Sequence, residues 1–199
     1  MRRILFAFFL VVACATGAAA ESYENAVAAL GRRDFTLAAQ LFRPLAEQGD
    51  LQAQVSLGRM YHGGHGVPQD YQEALKWFRK AAEQDDAQAQ SMLGGMYASG
   101  LGSPQDYQEA VKWYRRAAQQ GNINAQNSLG RIYAHGKKGV PQDFVRAHMW
   151  YDVAAATGMS SDGTRAHRDG VASQMTTGQI EMAQEMARRC RDTNFKECD

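Results

Sequence analysis

The sequence predicts an all-α fold, a right-handed α-solenoid of helix-turn-helix repeats, because one phrase returns along the chain at regular spacing. The phrase opens as G-V-P-Q-D-Y-Q-E-A at Gly66 and returns, with small changes, at Gly102 and Gly139. A Leu-Gly pair precedes each copy, at Leu57, Leu93 and Leu129, with intervals of 36 residues. Each such repeat buries its apolar face only against its neighbours, so the copies have to dock on one another.

The first helix of each repeat is predicted from apolar residues at every fourth position. Ala53, Leu57 and Tyr61 stand at i, i+4 and i+8, which places them on one face of a helix. Gly58 lies in the middle of that helix, where glycine costs about 1 kcal/mol relative to alanine. The same glycine returns at Gly94 and Gly130. We therefore expect it to serve packing, by letting a neighbouring helix approach closely.

The second helix of each repeat begins with an aspartate that can cap it. Asp70 is followed three residues later by Glu73, and Asp106 by Glu109, which predicts a capping box in each helix. In the third repeat Arg146 occupies the glutamate position, so a weaker cap is expected there. An apolar stripe follows the first cap at Tyr71, Ala74, Leu75, Phe78, Ala81 and Ala82. Glycines suited to a left-handed C-cap between the helices stand at Gly64, Gly100 and Gly136.

The repeated residues resemble the Sel-one-like (Sel1-like) repeat, a short relative of the tetratricopeptide repeat. The matching pattern is A-Q-x-x-L-G-x-x-Y, a glycine loop and then A-x-x-W-[YF]-x-x-A-A, over residues 51–158. The resemblance implies stacked helical hairpins whose first helices line a concave surface, where partners of such proteins tend to bind. The tryptophans Trp77, Trp113 and Trp150 recur in register, so we expect them to be core or inter-repeat residues.

The repeats divide the chain into a targeting segment and one solenoid domain. A signal peptide is predicted over 1–20 and the solenoid over 21–199. The predicted parts of the solenoid are a degenerate helix pair at 22–48, three repeats at 51–84, 87–120 and 123–158, capping helices at 163–190 and a tail at 191–199. The capping helices resemble those that close many bacterial members of the family, and Thr176 with Gln179 is a candidate capping box.

The N-terminal residues have the three parts of a signal peptide. Arg2 and Arg3 form a positive n-region, residues 4–13 an apolar core, and residues 18–20 a small-residue cleavage site. The core is shorter than the about 20 residues of a membrane span. We therefore expect export to the periplasm or the medium of a Gram-negative bacterium, with no transmembrane span in the mature chain. In an alternative interpretation the V-V-A-C that ends at Cys14 is a lipobox, and the protein is a lipoprotein.

Cys190 and Cys198 remain after the predicted cleavage, and an even cysteine count in an exported chain favours a disulfide. Eight residues of continuous helix would separate their Cα atoms by about 12 Å, whereas a disulfide tolerates no more than about 7 Å. We therefore predict that the last helix ends soon after Cys190 and that the chain turns back through residues 191–194. Two free thiols on a frayed tail are the alternative.

No motif of a known catalytic class stands in the sequence. The G-x-S-x-G, H-E-x-x-H, Walker and dinucleotide fingerprints are missing, and so is the S-x-x-K of penicillin-recognising enzymes. Cysteine-rich relatives described as β-lactam-binding carry a cysteine pair in each repeat, and no repeat here has one. His62 and His65 have no acidic or thiol ligand close by, so we expect neither a metal nor a cofactor there. His148 lies on a helix, where we expect a packed side chain.

The balance of charge argues against a nucleic-acid partner. The chain carries 22 Lys and Arg against 21 Asp and Glu, a formal net charge of +1. A strongly basic nucleic-acid binder needs a surplus of positive charge to neutralise phosphates. The resemblance to Sel-one-like repeat proteins, which are generally adaptors, implies a protein or peptide as the partner instead.

The candidate partner-binding residues are positions on the first helices that vary while their neighbours repeat. Val55, Arg59 and His62 share a helix face at i, i+4 and i+7. The aligned positions in the next two repeats are Ser91, Gly95 and Ala98, then Asn127, Arg131 and Ala134. Variation beside a fixed framework is expected of a surface that meets a partner, although an ordinary solvated face would vary as well.

Two functions fit these observations. The first is a non-enzymatic adaptor of the bacterial cell envelope that binds a peptide or protein on its concave face. The second is an exported enzyme, or an enzyme accessory, that acts on cell-wall material such as peptidoglycan or β-lactam-like compounds. A cleft that gathers a histidine with carboxylates of perturbed pKa would favour the enzyme, and a shallow groove of mixed polarity would favour the adaptor.

Overall fold

The computed structural model describes residues 22–156 and 162–198, which form an all-α solenoid. Its helices are α1 (22–31), α2 (Phe35–Glu47), α3 (Leu51–Gly63), α4 (Tyr71–Glu83), α5 (Ala87–Ser99), α6 (Tyr107–Ala118), α7 (Ile123–His135), α8 (Phe144–Ala156), α9 (Asp162–Ala172) and α10 (Thr177–Asp192). None of these helices combines the length and the apolar character that crossing a membrane requires. The predicted signal peptide and Cys14 lie outside the described residues.

The chain divides into two compact units, Met1–Gln84 and Asp85–Asp199. Unit 1 contains α1 to α4, and α3 packs against both α2 and α4. Unit 2 contains α5 to α10, where each helix from α5 to α7 packs against the next and α8 also packs against α9 and α10. The described residues hold one isolated antiparallel bridge, Lys137 with Val140, and no longer strand. The predicted all-α fold is confirmed.

The glycine that follows each repeated leucine is a packing position, as predicted. A Cβ added at Gly94 would lie 2.9 Å from the ring of Tyr114, well inside the separation at which carbon atoms attract each other. The same relation holds for Gly58 with Phe78 and for Gly130 with Tyr151. Each pair joins the two helices of one repeat, so the glycine sets how closely the second helix approaches the first.

Aspartates cap the second helices as predicted, but the predicted capping boxes of Glu73 and Glu109 are wrong. The Asp70 carboxylate accepts the Glu73 backbone N–H, while the Asp70 backbone N–H already donates to the carbonyl of Tyr61. The Glu73 carboxylate instead accepts the indole N–H of Trp77 at 3.1 Å. Glu109 accepts from Trp113 in the same way, at 3.0 Å. The repeated glutamate therefore fixes the tryptophan rather than the helix start.

The third repeat departs from this pattern because Arg146 replaces the glutamate. Asp143 still caps α8, since it accepts the Arg146 backbone N–H at 2.9 Å, and the two side chains form an ion pair at 3.3 Å. Trp150 is buried, and its indole N–H has no hydrogen-bond partner among the described residues. The substitution thus removes the acceptor that the other two tryptophans have.

The glycines that end the first helices do not all have the predicted conformation. Gly64 and Gly100 are left-handed, with φ of 69° and 70°. The prediction is wrong for Gly136, whose φ of 60° and ψ of 151° lie outside the left-handed helical region. The loop after it contains one extra residue, and Lys137 and Val140 pair across a tight turn there. The chain therefore leaves α7 without the left-handed C-cap that ends α3 and α5.

A buried glutamine in the first helix ties neighbouring helices together. Gln54 Nε2 donates to the carbonyl of Ala46 at 3.1 Å, and Gln54 Oε1 accepts from Gln84 at 2.8 Å. Gln90 accepts from Gln120 at 2.9 Å in the same way. Gln54 and Gln90 belong to the repeated A-Q-x-x-L-G pattern. Their hydrogen bonds satisfy polar groups that burial would otherwise leave unpaired.

The two C-terminal helices are attached to the last repeat through one carboxylate. Asp152 on α8 accepts from Arg168 of α9 and from Arg191 of α10, each at 3.2 Å. The predicted capping box of Thr176 and Gln179 starts α10 and is confirmed. The three helices are therefore held together by charge as well as by packing.

The predicted disulfide between Cys190 and Cys198 is present, with Cα atoms 4.4 Å apart. α10 ends at Asp192, and the positive φ of Asn194 and Phe195 turns the chain back towards Cys190. Both cysteines are buried. The helix thus ends where the predicted bond requires it to end.

Candidate functional site

The candidate binding residues of unit 1 differ in exposure. Val55 is buried, whereas Arg59 is exposed on α3. His62 is half-buried, and its ring lies edge-on to that of Tyr71 with the ring centres 5.5 Å apart. Arg59 is therefore the residue of this set that presents a charge to solvent.

The candidate residues of unit 2 lie on α5 and α7. Ser91 is buried, Gly95 and Asn127 are half-buried, and Arg131 is exposed. Gly95 and Arg131 line one depression, and Asn127 and Arg131 line a second. The structure thus brings three of these residues together around α7 and leaves Ser91 inside the protein.

Three adjoining depressions of unit 2 form one surface feature, which we call the α7 groove. The depression between α5 and α7 has a volume of about 540 Å³, and the two between α7 and α9 have volumes of about 300 and 310 Å³. Arg131 borders the first and second depressions, and His135 borders the first and third. Hydroxyl and amide side chains also line the groove, at Tyr107, Tyr114, Tyr151, Asn124, Asn127, Ser128 and Thr164.

Arg131 lies near two tyrosine hydroxyls that line the groove. Burial raises the pKa of Tyr114, and a hydrogen bond with Ser128 and the charge of Arg131 partly oppose that effect. Burial also raises the pKa of Tyr151, and the same guanidinium opposes it. Both hydroxyls are therefore protonated at neutral pH and can donate hydrogen bonds, as the guanidinium does.

Small residues on α5 leave space beside Arg131. Gly95 and Ser99 stand 36 residues before Arg131 and His135, so they occupy the equivalent positions of the preceding repeat. A Cβ at Gly95 would lie 3.4 Å from the hydroxyl oxygen of Tyr114. A side chain at position 95 would therefore contact that hydroxyl, which glycine leaves uncovered on this side.

The far wall of the groove is α9, which the sequence did not predict to take part. The Thr164 hydroxyl donates to Asn127 Oδ1 at 3.0 Å. The His167 ring stacks on Tyr151, with ring centres 5.6 Å apart and 21° between the planes. Because α9 lies outside the repeats, no register relates it to α7. The signal that could have found these residues is the i, i+3 spacing of Thr164 and His167 on one helix face.

The electrostatic character of the α7 groove is positive. The described residues that line it include no aspartate or glutamate. Arg131 and Lys137 are exposed cations, and the Lys137 ammonium lies over the ring of Tyr107, 5.7 Å from its centre. His135 and His167 add ring nitrogens that can donate hydrogen bonds. The groove is therefore rich in donors and suits a group that carries negative charge or exposed acceptors.

Acid–base and metal chemistry find little support in the part of the chain that the structure describes. No group of three His, Cys, Asp or Glu side chains there is placed to hold a metal ion. His148 is buried, as predicted for a packed residue, and it lies outside the α7 groove. Burial lowers the pKa of its imidazole, which keeps the ring neutral at neutral pH.

Comparison with known families identifies the class of repeat. The model of the Sel1 repeat family matches residues 19–50, 51–86, 87–122 and 123–159. These segments cover most of the chain, so the protein belongs to the Sel1 repeat family, whose members are generally protein-interaction modules. The first segment contains α1 and α2, the helices of the predicted degenerate pair. No protein of curated function matches the chain.

The solved structures that are similar to this one include two related proteins. A Sel1 repeat protein from Oxalobacter formigenes is 33% identical with a TM-score of 0.60, and the match covers 75% of this chain and 64% of that one. The c5321 protein, a protective antigen present in uropathogenic Escherichia coli strains, displays an SLR fold and is 28% identical with a TM-score of 0.60. That match covers 81% of this chain and 42% of c5321. The chain thus spans less than two thirds of either protein.

Proposed function

We propose that the protein is a non-enzymatic interaction module of the bacterial cell envelope that binds a peptide or protein partner in the α7 groove. The groove itself is the observation that carries the proposal. Its depressions have volumes of about 300 to 540 Å³, within the range of about 300–1,000 Å³ of ordinary ligand sites. Its donors are spread along α7 and α9 rather than gathered at one reactive centre, and a segment of polypeptide is the ligand that such an arrangement suits best.

The alternative, an exported enzyme or enzyme accessory that acts on cell-wall material, fits the groove less well. General acid–base catalysis needs a titratable group held beside the group that orients it. His135 and His167 have no aspartate or glutamate among the described residues that line the groove with them. Binding without chemistry is the function that these side chains support best.

The proposed location, periplasmic or secreted, rests on the signal-like N-terminal residues and on the disulfide. Disulfides persist in oxidising compartments such as the bacterial periplasm, and Cys190 and Cys198 are bonded. The similar c5321 protein is a protective antigen, and an antigen has to be reachable by antibodies, which agrees with export. A lipid anchor at Cys14 is the alternative to a free mature chain.

Site-directed photocrosslinking in the source bacterium tests the binding proposal. A photoreactive phenylalanine analogue at Ser99, an exposed residue of the groove, should form a discrete adduct with a partner protein. The matched control places the analogue at Lys112, which is 71% exposed on α6 and lies outside the groove. Adducts of the same partner from both positions, or from Lys112 alone, would contradict the α7 groove as the binding surface.

A reporter fusion tests the location. Residues 1–30 fused to alkaline phosphatase should give an active enzyme, because that reporter folds when its own disulfides form outside the cytoplasm. Replacing Arg2 and Arg3 by glutamate should abolish the activity by removing the positive n-region. An inactive wild-type fusion would remove the basis for export, and Cys14→Ala separates lipidation from simple cleavage through the mobility of the mature protein.

A further inference from the structure

We propose that the α7 groove recognises acidic side chains on an extended segment of its partner. The inference rests on the proposed function and names the chemical class of the partner. The recognising groups are the guanidinium of Arg131, the ammonium of Lys137 and the donors that surround them. The ligand is a stretch of polypeptide with several aspartates or glutamates.

The first argument is the charge of the groove relative to the rest of the chain. Acidic residues are almost as numerous as basic ones in the sequence, 21 against 22. The groove is lined by two exposed cations and two histidines, and its described lining residues include no aspartate or glutamate. Its balance of charge is therefore more positive than that of the whole chain. Such a surface attracts carboxylates and repels basic segments, which gives selectivity as well as affinity.

The second argument is that the guanidinium of Arg131 can still bind a carboxylate. Several other arginines of unit 2 are paired with carboxylates, as Arg146 is with Asp143 and Arg168 is with Asp152. Arg131 forms no ion pair with a carboxylate among the described residues, although its charge acts on two tyrosine hydroxyls. A guanidinium carries five N–H donors in a planar fork that matches a carboxylate in bidentate geometry. Its position between two depressions makes it available to ligands in both.

The third argument is the distribution of the donors. Lys137 and His135 line the depression between α5 and α7, and His167 lines the two depressions between α7 and α9. One terminal carboxylate could occupy the neighbourhood of Arg131 alone. Cations and histidines spread over three adjoining depressions instead suit several acidic side chains on one extended chain.

Selection from random peptide libraries tests the inference even though the natural partner is unidentified. The mature protein is immobilised and presented with dodecapeptides displayed as internal segments, which lack a free C-terminus. We expect the selected peptides to be enriched in Asp and Glu relative to the input. A second library displayed with free C-termini should show the same enrichment within the peptide and no preference for the terminal position.

The outcomes separate the inference from the proposed function. Selected peptides without acidic enrichment would overturn the inference and leave peptide binding intact. Selection of no peptide from either library would overturn both. If binding required the free C-terminus, the recognised group would be a terminal carboxylate rather than acidic side chains, and the inference would be overturned. Binding of the oligonucleotide dT12 as tight as that of the acidic peptides would also overturn it, since phosphate would then be the recognised group.

Affinities of one selected peptide for groove variants locate the site. Fluorescence anisotropy should show a loss of about tenfold for Arg131→Ala and for Lys137→Ala, because each removes a charge-assisted contact. Arg131→Lys should lose less, since the charge remains. Lys138→Ala is the matched control, because Lys138 is an exposed neighbour of Lys137 that does not line the groove.

Salt dependence provides a second readout that a loss of folding would not mimic. The wild-type affinity should fall as ionic strength rises, because exposed charges are screened over about 10 Å at 0.1 M salt. Arg131→Ala should reduce that dependence while its melting temperature stays at the wild-type value. Equal affinities and equal salt dependence of wild type and Arg131→Ala would place the acidic ligand elsewhere and overturn the assignment.

Discussion

At the scale of single residues, Gly94 is one of the repeated glycines that leave no room for a side chain. A Cβ there would lie 2.9 Å from Cδ1 of Tyr114 and 3.0 Å from Cγ. Gly94→Leu should therefore force α6 away from α5, at a cost of about 1–3 kcal/mol for overpacking. Chemical denaturation of the mature protein measures the loss as a lower free energy of unfolding.

Gly178 is the matched control for this substitution. It also lies in a helix, but a Cβ at Gly178 has no neighbouring atom within 4 Å. Gly178→Leu should leave the free energy of unfolding unchanged or raise it by up to about 1 kcal/mol, since leucine is the better helix former. Equal effects of the two substitutions would show that packing against Tyr114 is not what keeps glycine at position 94.

His148 makes the stability of the protein depend on pH. Burial lowers the pKa of its imidazole below the ordinary 6.5; Asp152 and Asp169 oppose that effect, and Arg168 reinforces it. Between the lowered folded pKa and 6.5 the unfolded chain therefore binds more protons than the folded chain. The free energy of unfolding should fall as the pH falls through this window, and less steeply in His148→Gln. Denaturation at a series of pH values measures both slopes, and equal slopes would contradict the assignment.

At the scale of helices, the residues that a helix buries were easier to predict than the partner that a polar side chain binds. Ala53, Leu57 and Tyr61 are buried together as their spacing predicts, because helical periodicity depends on the chain alone. The Glu73 carboxylate could accept a hydrogen bond either from the backbone N–H at the start of the helix or from the indole N–H of Trp77. Sequence spacing shows that Glu73 can reach the start of the helix, but only the structure shows that its carboxylate accepts from Trp77 instead. The capping-box prediction failed for this reason.

The disulfide ties the C-terminal end of α10 to the residues that follow it. Cys190 and Cys198 close a short loop just after the helix ends, and both are buried. Replacing both by alanine should lower the free energy of unfolding by about 2–3 kcal/mol, mainly by freeing the unfolded chain. Denaturation with and without a reductant measures the effect, and reduced wild type should match the double variant. Insensitivity of the wild type to reductant would contradict this role of the bond.

At the scale of the whole molecule, the candidate site was predictable only where the repeat supplies a register. Asn127 and Arg131 were found because their positions vary between aligned copies while the framework stays fixed. Val55 and Ser91 were selected by the same rule, yet both are buried. Thr164 and His167 could not be found in this way, because they lie on α9, which is not a copy of any helix in the repeats. The α7 groove is thus a product of tertiary contacts between repeated and unrepeated sequence.

The end of the solenoid is encoded in α8, which differs from the other second helices on one face. Met149 and Val153 stand where α6 has Lys112 and Arg116, as the aligned copies of the phrase show. Lys112 and Arg116 are 71% and 44% exposed, whereas Met149 and Val153 are fully buried. α9 and α10 pack against α8. The sequence therefore gives α8 a second apolar face because capping helices, and not solvent, meet it.

A chain that ends at Ala156 should lose the cover of this second face. Uncovering each large apolar side chain costs about 1.5–3 kcal/mol, so the truncated protein should unfold at a lower temperature and associate through α8. Circular dichroism and size-exclusion chromatography measure the two effects. The control ends at Asp192 and carries Cys190→Ala; it keeps α10 to its last residue and should remain monodisperse. A truncation at Ala156 as stable as this control would show that the repeats need no C-terminal cap.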